Sequence, residues 1–274
     1  MQLTSPLKWA GSKRWLVPQL TPYWHWYCNQ YGNQTRLVEP FAGACNVAFG
    51  LESKRALLSD SNPHLIAFHQ FCQRGGQIPL RFVYNREYYC RLRNTFNNLA
   101  TSNPQSEMIA WLFYYFNRCG YNGLCRYNQQ GGFNTPFGRY KKVEFEYDFS
   151  AYAPVMRGWE LVSGDFSEIE LQESDLLYID PPYDGCKFTQ YDGNKFTRQV
   201  ELVEWAAEHR GPVIASNNPT EAILKLYQSK GFSIAIIPGR RNSISSKTAS
   251  RTQKFEMFAT RNIPVELMQL EVAA

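Results

Sequence analysis

The stretch that decides the fold is Thr35-Arg-Leu-Val-Glu-Pro-Phe-Ala-Gly-Ala-Cys-Asn-Val-Ala-Phe-Gly50. It begins as a short strand, turns at Pro40–Gly43 and continues with helix-compatible spacing from Asn46. Next along the chain, Arg55-Ala-Leu-Leu-Ser-Asp60 predicts a second strand that ends in a carboxylate, and Ser61-Asn-Pro63 opens a further helix. A nucleotide-binding α/β half begins with this order of elements.

Strands and helices alternate through the second half of the chain. Strand character is found at residues 159–165, 175–180, 212–216 and 232–237. Helical spacing is found at residues 197–209 and 221–230, and the residues from Pro264 onward are expected to form a loosely attached tail. The alternation predicts an α/β fold with a mostly parallel sheet.

The middle of the chain has a different texture. Residues 64–118 follow helical patterns, whereas Tyr121–Lys142 is rich in glycine, asparagine and aromatic residues. We therefore expect an inserted, mainly helical domain at residues 63–143, within a main domain built from residues 1–62 and 144–274.

The inserted segment also carries an uneven charge. The whole chain has 29 basic and 24 acidic residues, a net charge of +5, but no Asp or Glu lies between Met108 and Val143. The basic residues found there are Arg118, Arg126, Arg139, Lys141 and Lys142. Arg126–Asn134 predicts a β-hairpin that turns at Gly131-Gly132. A hairpin among these positive charges indicates a surface that attracts phosphate.

Composition disfavours several other classes of protein. With 44% hydrophobic residues the chain can bury a full core, so disorder is not expected. Its 7 cysteines, without a CxxC pair or a histidine at zinc-ligand spacing, indicate a reduced cytoplasm and no metal site. We find neither a signal-peptide core nor the roughly 18 consecutive apolar residues that a membrane helix needs, so a soluble intracellular protein is expected.

The most informative polar motif is Asp180-Pro-Pro-Tyr183, which directly follows an apolar strand. This position places it at the carboxyl edge of the sheet, where open α/β proteins bind ligands. Pro181 and Pro182 fix the backbone and lack N–H groups, so the Pro181 carbonyl can face outward beside the Asp180 carboxylate. The tetrapeptide can also be interpreted as no more than a turn after a strand.

Two acceptors that face one spot suit a primary amine on an aromatic ring. The lone pair of such an amine is delocalised, and acceptors that grip both of its N–H bonds favour a pyramidal, nucleophilic nitrogen. Transfer of a methyl group from a sulfonium on the opposite side would then be an in-line displacement. If the amine belongs to a nucleic-acid base that has been flipped out of a duplex, Tyr183 would stack on that base.

Several separate segments share a pattern with one known family. They are Leu7-Lys-Trp-Ala-Gly-Ser-Lys13, Val38-Glu-Pro-Phe-Ala-Gly43, Asp180-Pro-Pro-Tyr183, Asn117–Asn128 and Phe133–Lys142. With these motifs the chain resembles the Dam family of D12-class DNA adenine methyltransferases over nearly its whole length. The resemblance implies a Rossmann-like methyltransferase sheet with residues 63–143 as the target-recognition domain. It further implies methyl transfer from S-adenosylmethionine to N6 of a flipped adenine in duplex DNA.

The resemblance implies which residues hold S-adenosylmethionine. They are Trp9, Lys13, Glu39, Phe41, Gly43, Asp60, Asp165, Phe166 and Asp180. Asp60 can accept both ribose hydroxyls, and Lys13 can pair with the carboxylate of the cofactor. Taken singly, a tryptophan or phenylalanine is more often a core residue.

The resemblance also implies double-stranded DNA with GATC sites as the partner. Arg126 would grip guanine O6 and N7, although an arginine taken alone is more often a phosphate contact or a surface charge. The other implied base contacts are Tyr121, Asn122, Leu124, Pro136 and Tyr140, the first two filling the space that the adenine leaves. Backbone contacts are expected from Lys8, Arg118, Asn128, Asn134, Arg139, Lys141 and Lys142. Arg240–Lys254 is either a further DNA-facing loop or an exposed connection.

One departure from the family pattern leaves alternatives open. Cys45 stands where the family usually has a second glycine, and its side chain could crowd the methionine part of the cofactor. A catalytically silent DNA-binding regulator is therefore an alternative, as is a nicotinamide-dependent oxidoreductase, although the loop lacks GxGxxG spacing. Cytosine N4, RNA adenine or a protein amide would suit the same geometry, whereas cytosine C5 is disfavoured because no Pro-Cys pair occurs. Neither a metal nor an obligate protein partner is expected.

Overall fold

A mixed sheet forms the centre of the described chain. The computed structural model describes residues 3–183, 196–239 and 254–268. Its strands are β1 (Arg36–Glu39), β2 (Ala56–Asp60), β3 (Trp159–Ser163), β4 (Asp175–Ile179), β5 (Val213–Asn217), β6 (Ser233–Gly239) and β7 (Lys254–Arg261). Their order is β3-β2-β1-β4-β5-β7-β6; β7 is antiparallel to β5 and β6, and the other pairs are parallel. This order confirms the predicted Rossmann-like α/β sheet, although the sequence patterns do not predict β7.

Helices connect the strands and cover both faces of the sheet. They are α1 (Val17–Tyr31), α2 (Asn46–Gly50), α3 (Pro63–Gln73), α4 (Arg86–Ser102), α5 (Glu107–Cys119), α6 (Tyr152–Met156), α7 (Gln199–Glu208) and α8 (Glu221–Ser229). The predicted start of α3 is confirmed: Pro63 is its first residue, and Asn62 Oδ1 accepts hydrogen bonds from the N–H groups of His64 and Leu65. Among the described helices, none is long and apolar enough to cross a membrane.

The central strands are apolar because both of their faces are buried. Leu37 and Leu176 belong to the cluster that packs against α1, α2 and α3, whereas Val38 and Leu177 point to the opposite face, where α7 and α8 pack. All five residues of β4 are buried. Because these strands are packed on both faces, the polar residues at their carboxyl ends, such as Asp60 and Asp180, have fixed backbone positions.

The helical patterns predicted at residues 64–118 correspond to α3, α4 and α5. Helices α4 and α5 pack through aromatic rings such as Phe96 and Phe116, whose centroids lie 5.5 Å apart. Helix α3 also reaches the main sheet, since the side-chain amide of Gln70 donates to the carbonyl of Leu161 at 3.0 Å. The division into domains at residues 63 and 143 stays a prediction.

The predicted hairpin is present but short. Tyr127 and Phe133 form an antiparallel bridge, and the N–H of Asn128 donates to the carbonyl of Gly132 at 2.9 Å. Gly131 has a φ of +77°, which glycine adopts at little cost in a tight turn. Phe133 stacks on Phe116 at 4.8 Å, so the hairpin is fixed to α5 by its apolar residues.

Candidate active site

A cavity of about 520 Å³ opens at the carboxyl edge of the sheet, beside the point where β1 and β4 run next to each other. This is the volume range of small-molecule sites, and the place where open α/β sheets bind ligands. The segments 9–13, 41–44, 46–47 and 180–183 line it, together with the strand-end residues Glu39 and Asp60. Leu124 and Arg126 also line it; they belong to residues 117–142, which we call the recognition segment because it is predicted to contact DNA. The motifs predicted for cofactor binding, catalysis and recognition therefore meet in one space.

Asp60 fixes the loop that follows β1. One oxygen of its carboxylate accepts a hydrogen bond from the N–H of Gly43 at 3.0 Å, and the other accepts from the N–H of Asn62 at 3.0 Å. Burial raises the pKa of Asp60 to about 6, although both hydrogen bonds favour the charged form. The end of β2 therefore presents a carboxylate held in one orientation.

Gly43 is required where the loop passes the N-terminal segment. Its φ is +49°, and a Cβ there would lie 2.5 Å from Nε1 of Trp9. The carbonyl of Gly43 is within 2.8 Å of Nε2 of His69, a buried α3 residue whose pKa burial lowers to about 4. The neutral imidazole of His69 thus donates from Nε2 to the Gly43 carbonyl and holds the loop on the side of α3.

Glu39 brings an unpaired polar atom to the cavity. Its side chain is buried, and its Oε1 has no hydrogen-bond partner among the described residues. Burial raises the pKa of Glu39 to about 8; the backbone of Ala48 opposes the shift, and the negative charge of Asp180 adds to it. This buried oxygen without a hydrogen-bond partner is suited to accept from a cationic group or an N–H donor that enters the cavity.

Asp180 is held by an ion pair that the sequence does not reveal. Nζ of Lys13 lies 2.7 and 2.9 Å from its two carboxylate oxygens, and the Ser216 hydroxyl donates to Oδ1 at 3.0 Å. Burial alone would lower the pKa of Lys13, but the carboxylates of Asp180 and Glu256 raise it. Lys13 therefore stays charged and fixes the carboxylate of Asp180.

The two prolines differ in what their carbonyls do. The carbonyl of Pro182 accepts a hydrogen bond from Nε2 of Gln199 at 2.9 Å. Asn217 in turn donates to the Gln199 side-chain oxygen at 3.1 Å. No hydrogen bond to the Pro181 carbonyl is found within the described ranges, and Pro181 lines the cavity. Its role as the second acceptor stays a prediction.

Tyr183 is held at the cavity wall. Its hydroxyl donates to the Glu256 carboxylate, and Nζ of Lys13 lies 4.8 Å from the centre of its ring. The phenol ring is thereby oriented before any base arrives.

Asn117 ties the N-terminal segment to the recognition segment. This fully buried amide accepts from the N–H of Lys8 at 2.9 Å and donates to the carbonyls of Lys8 at 2.7 Å and Gly123 at 3.1 Å. The ammonium of Lys8 lies 3.8 Å from the ring centre of Tyr140. Residues far apart in sequence thus form one wall beside the cavity.

Arg126 is exposed at the mouth of the cavity and is held in one orientation. Its Nε donates to Oδ1 of Asn134 at 2.8 Å, and its Nη2 to the Asn134 carbonyl at 3.3 Å. Asn128 accepts from the N–H groups of Gln130 and Gly132 and so shapes the hairpin turn. Tyr121, Asn122, Pro136, Arg139, Lys141 and Lys142 are exposed on the same segment.

Some predicted site residues lie outside the cavity wall. Phe166 packs behind Phe41, 5.9 Å between ring centres, and Asp165 pairs with Arg198 at 2.6 Å. The Arg118 guanidinium donates to the carbonyls of Pro6 and Glu144, so much of its donor capacity serves the fold. The direct cofactor and DNA roles of these residues stay predictions, as does that of Arg240–Lys254, most of which lies outside the described residues.

Cys45 differs from what the sequence suggests. Its side chain is buried in the core and does not line the described cavity, so it cannot crowd a ligand there. Its φ is +54°, which explains why glycine suits this position. Cys45 therefore adopts a left-handed backbone conformation that glycine would adopt at lower cost.

The sequence analysis assigns no role to four residues that shape the site. They are Asn117, Gln199, Ser216 and Glu256. Glu256 alone carries a readable signal, because an acidic residue followed by the buried run Met257-Phe258-Ala259 is unusual on a strand. The others act through contacts between distant segments.

Comparison with known proteins gives a consistent result. Residues 9–243 match the family model of D12 class N6 adenine-specific DNA methyltransferases. DNA adenine methylase from Vibrio cholerae is 33% identical, over 92% of this chain and 94% of its own length. DNA adenine methylase from Escherichia coli K12 is 31% identical over 92% and 93%, and the retron Ec67 DNA adenine methylase is 34% identical over 83% and 81%. The chain therefore belongs to the D12 class of N6 adenine-specific DNA methyltransferases.

Proposed function

We propose that the chain transfers the methyl group of S-adenosylmethionine to N6 of adenine in GATC sites, after the adenine has been flipped out of the duplex. The observation that carries the proposal is one cavity lined by Asp60, by Gly43 of the loop after β1, by the Asp180-Pro-Pro-Tyr183 motif and by Arg126. A methyl donor and a base can meet only where these elements share one space.

The residues of the cavity fit S-adenosylmethionine. The unpaired Oε1 of Glu39 can accept from the ammonium of its methionine part, and Asp60 still has lone pairs for ribose hydroxyls. Phe41 and Trp9 present apolar surface at the same wall. When bound, the cofactor supplies an electrophilic methyl group on a positively charged sulfur.

Asp180 and Pro181 would act on the amine of the base. The Asp180 carboxylate and the Pro181 carbonyl accept its two N–H bonds and make the nitrogen lone pair available. As the new N–C bond forms, the bond between the methyl group and sulfur would break with its electron pair left on sulfur, and the nitrogen gains positive charge, which the carboxylate stabilises. The nitrogen then loses one proton, and Asp180 is the nearest base.

The recognition segment supports DNA as the substrate. Arg126 is oriented by Asn134, and Tyr121 on the same segment is 45% exposed, so both side chains are accessible to DNA. The uninterrupted positive charge of this segment suits phosphate. The six described cysteines are free thiols, which supports the predicted cytoplasmic location.

A silent DNA-binding regulator loses its support, because Cys45 does not enter the described cavity and the catalytic tetrapeptide is complete.

The experiment that tests base flipping uses duplexes with 2-aminopurine at the adenine of GATC. Addition of the protein with S-adenosylhomocysteine should raise the fluorescence strongly, because the probe leaves the base stack. The same probe placed outside GATC is the control and should change little. Equal responses at both positions would contradict site-specific flipping.

Replacing Glu39 by glutamine should weaken binding of S-adenosylmethionine about tenfold, because the amide oxygen can still accept from its ammonium but cannot become a negatively charged carboxylate beside it. Titration calorimetry measures this effect. Exposed Glu160 on β3 offers a matched control, since its glutamine variant should bind the cofactor normally.

The same variant should stabilise the free protein at alkaline pH. The carboxyl of Glu39 has a pKa of about 8 in the fold, so it stays protonated where the unfolded chain is ionised. The contribution of Glu39 to stability should therefore fall as the pH rises from about 4.5 to about 8. Thermal unfolding should show the glutamine variant more stable at about pH 8, with the difference shrinking toward about pH 5. A constant difference would contradict the raised pKa.

A further inference from the structure

Glu256 is a buried carboxylate on an otherwise apolar part of β7. It is 7% exposed, and the Met257, Phe258 and Ala259 that follow it are fully buried. A buried carboxylate destabilises a fold unless it is paired and hydrogen bonded. Its partners are Nζ of Lys13 at 3.3 Å and the hydroxyl of Tyr183. Both partners line the cavity, whereas Glu256 lies behind them.

Lys13 occupies the acceptors that the target amine needs. Its ammonium lies within hydrogen-bond distance of both Asp180 oxygens, at 2.7 and 2.9 Å. An entering N6 amino group donates toward the same carboxylate. Because a neutral amine is a weaker donor than an ammonium, it cannot compete well while Lys13 keeps this position.

We propose that Glu256 is a positioning residue. Its carboxylate becomes the ion-pair partner of the Lys13 ammonium, in place of Asp180, when the target amine reaches Asp180. The inference rests on the proposed role of Asp180. Nζ of Lys13 is already 3.3 Å from the Glu256 carboxylate, so a small rotation of the side chain completes the transfer. The ammonium stays paired throughout, which avoids the cost of an isolated buried charge.

The hydrogen bond from Tyr183 gives Glu256 a second task. It fixes the carboxylate toward Lys13 and at the same time fixes the ring that stacks on the base. With Lys13 on Glu256, one Asp180 oxygen still accepts from the Ser216 hydroxyl, and the carboxylate is available to the amine. Because Tyr183 contacts both the base and Glu256, stacking of the base is coupled to the release of Asp180 from its ion pair with Lys13.

The test measures binding without chemistry. The full-length protein with S-adenosylhomocysteine is titrated with two GATC duplexes, one with adenine and one with purine, which lacks the 6-amino group, at the target position. Wild type should prefer adenine. Glu256→Gln should reduce this preference about fivefold and turnover about tenfold, because Lys13 remains on Asp180, while affinity for the purine duplex stays unchanged.

Three further variants make the outcome decisive. Lys13→Met in the Glu256→Gln background should restore the preference for adenine, because no ammonium is left to compete. Glu256→Asp should behave like Glu256→Gln, since its carboxylate is one carbon shorter. Glu221→Gln, which breaks an exposed pair with Lys225 at 2.6 Å, is the control and should match wild type.

An unchanged preference in folded Glu256→Gln, or no recovery in the double variant, would overturn the inference. A wild-type response of Glu256→Asp would assign the effect to charge alone and overturn the positional role. If Asp180→Asn also kept the full preference for adenine, the proposed role of Asp180 would fail instead. Thermal unfolding of each variant verifies that it is folded.

Discussion

Replacing Asp180 by asparagine should lower turnover by about 10²–10³-fold. Asparagine keeps the size of the side chain and one oxygen acceptor, but it lacks the negative charge that stabilises the developing positive charge on N6. Its amide would also place a donor where Lys13 and Ser216 now donate, so the ordered network around the carboxylate would be lost.

Binding should separate this effect from misfolding. Asp180 is 19% exposed at the end of a buried strand, so the isosteric change should leave the sheet intact. We expect DNA affinity to remain within several-fold of wild type, while single-turnover rates fall. Near-normal turnover would refute the assigned role of Asp180.

Replacing Arg126 by alanine should relax the choice of base. A bidentate contact from arginine to guanine contributes about 1–3 kcal/mol of discrimination. The contact is pre-oriented here, because Asn134 holds the guanidinium through both its side chain and its carbonyl. The ratio of kcat/KM for GATC over duplexes with one changed base should fall by about 10-fold to 100-fold at the guanine that Arg126 reads.

Arg139 provides the matched control for this prediction. It is exposed on the same segment and is predicted to contact the DNA backbone. Its alanine variant should bind all DNA sequences more weakly to the same extent. The slope of the logarithm of the binding constant against the logarithm of salt concentration should become shallower by about one. If Arg126→Ala behaved in the same way, with base preference unchanged, its assignment as a base-reading residue would be wrong.

Much of the fold is readable from local patterns. Strand β1 and the turn after it, Asp60 at the end of β2, and the Asn62-Pro63 start of α3 each depend on a few neighbouring residues. Local propensity and capping decide such features, and the structure confirms them. The position of Asp180 at the sheet edge follows from the apolar strand before it.

The contacts that make the site work are not readable in this way. The Lys13–Asp180 pair joins residues 167 positions apart, and Asn117 reaches Lys8 across 109 positions. Strand β7 starts with the alternating residues Lys254-Phe-Glu-Met257, but their burial does not follow polarity, since Phe255 is exposed and Glu256 is buried. The buried position of Glu256 is therefore missed. Cys45 shows the converse error, since family comparison marks the position but only the backbone shows where its side chain points.

The most direct test of the central claim identifies the methylated nucleoside. Purified protein is incubated with methyl-labelled S-adenosylmethionine and three duplexes: one with GATC, one with its adenine replaced, and one with the same bases in the order GTAC. We predict labelled N6-methyladenine from the GATC duplex alone. Label on another nucleoside, or no label on any duplex despite bound DNA and cofactor, would contradict the account, and equal label on GATC and GTAC would contradict its sequence specificity.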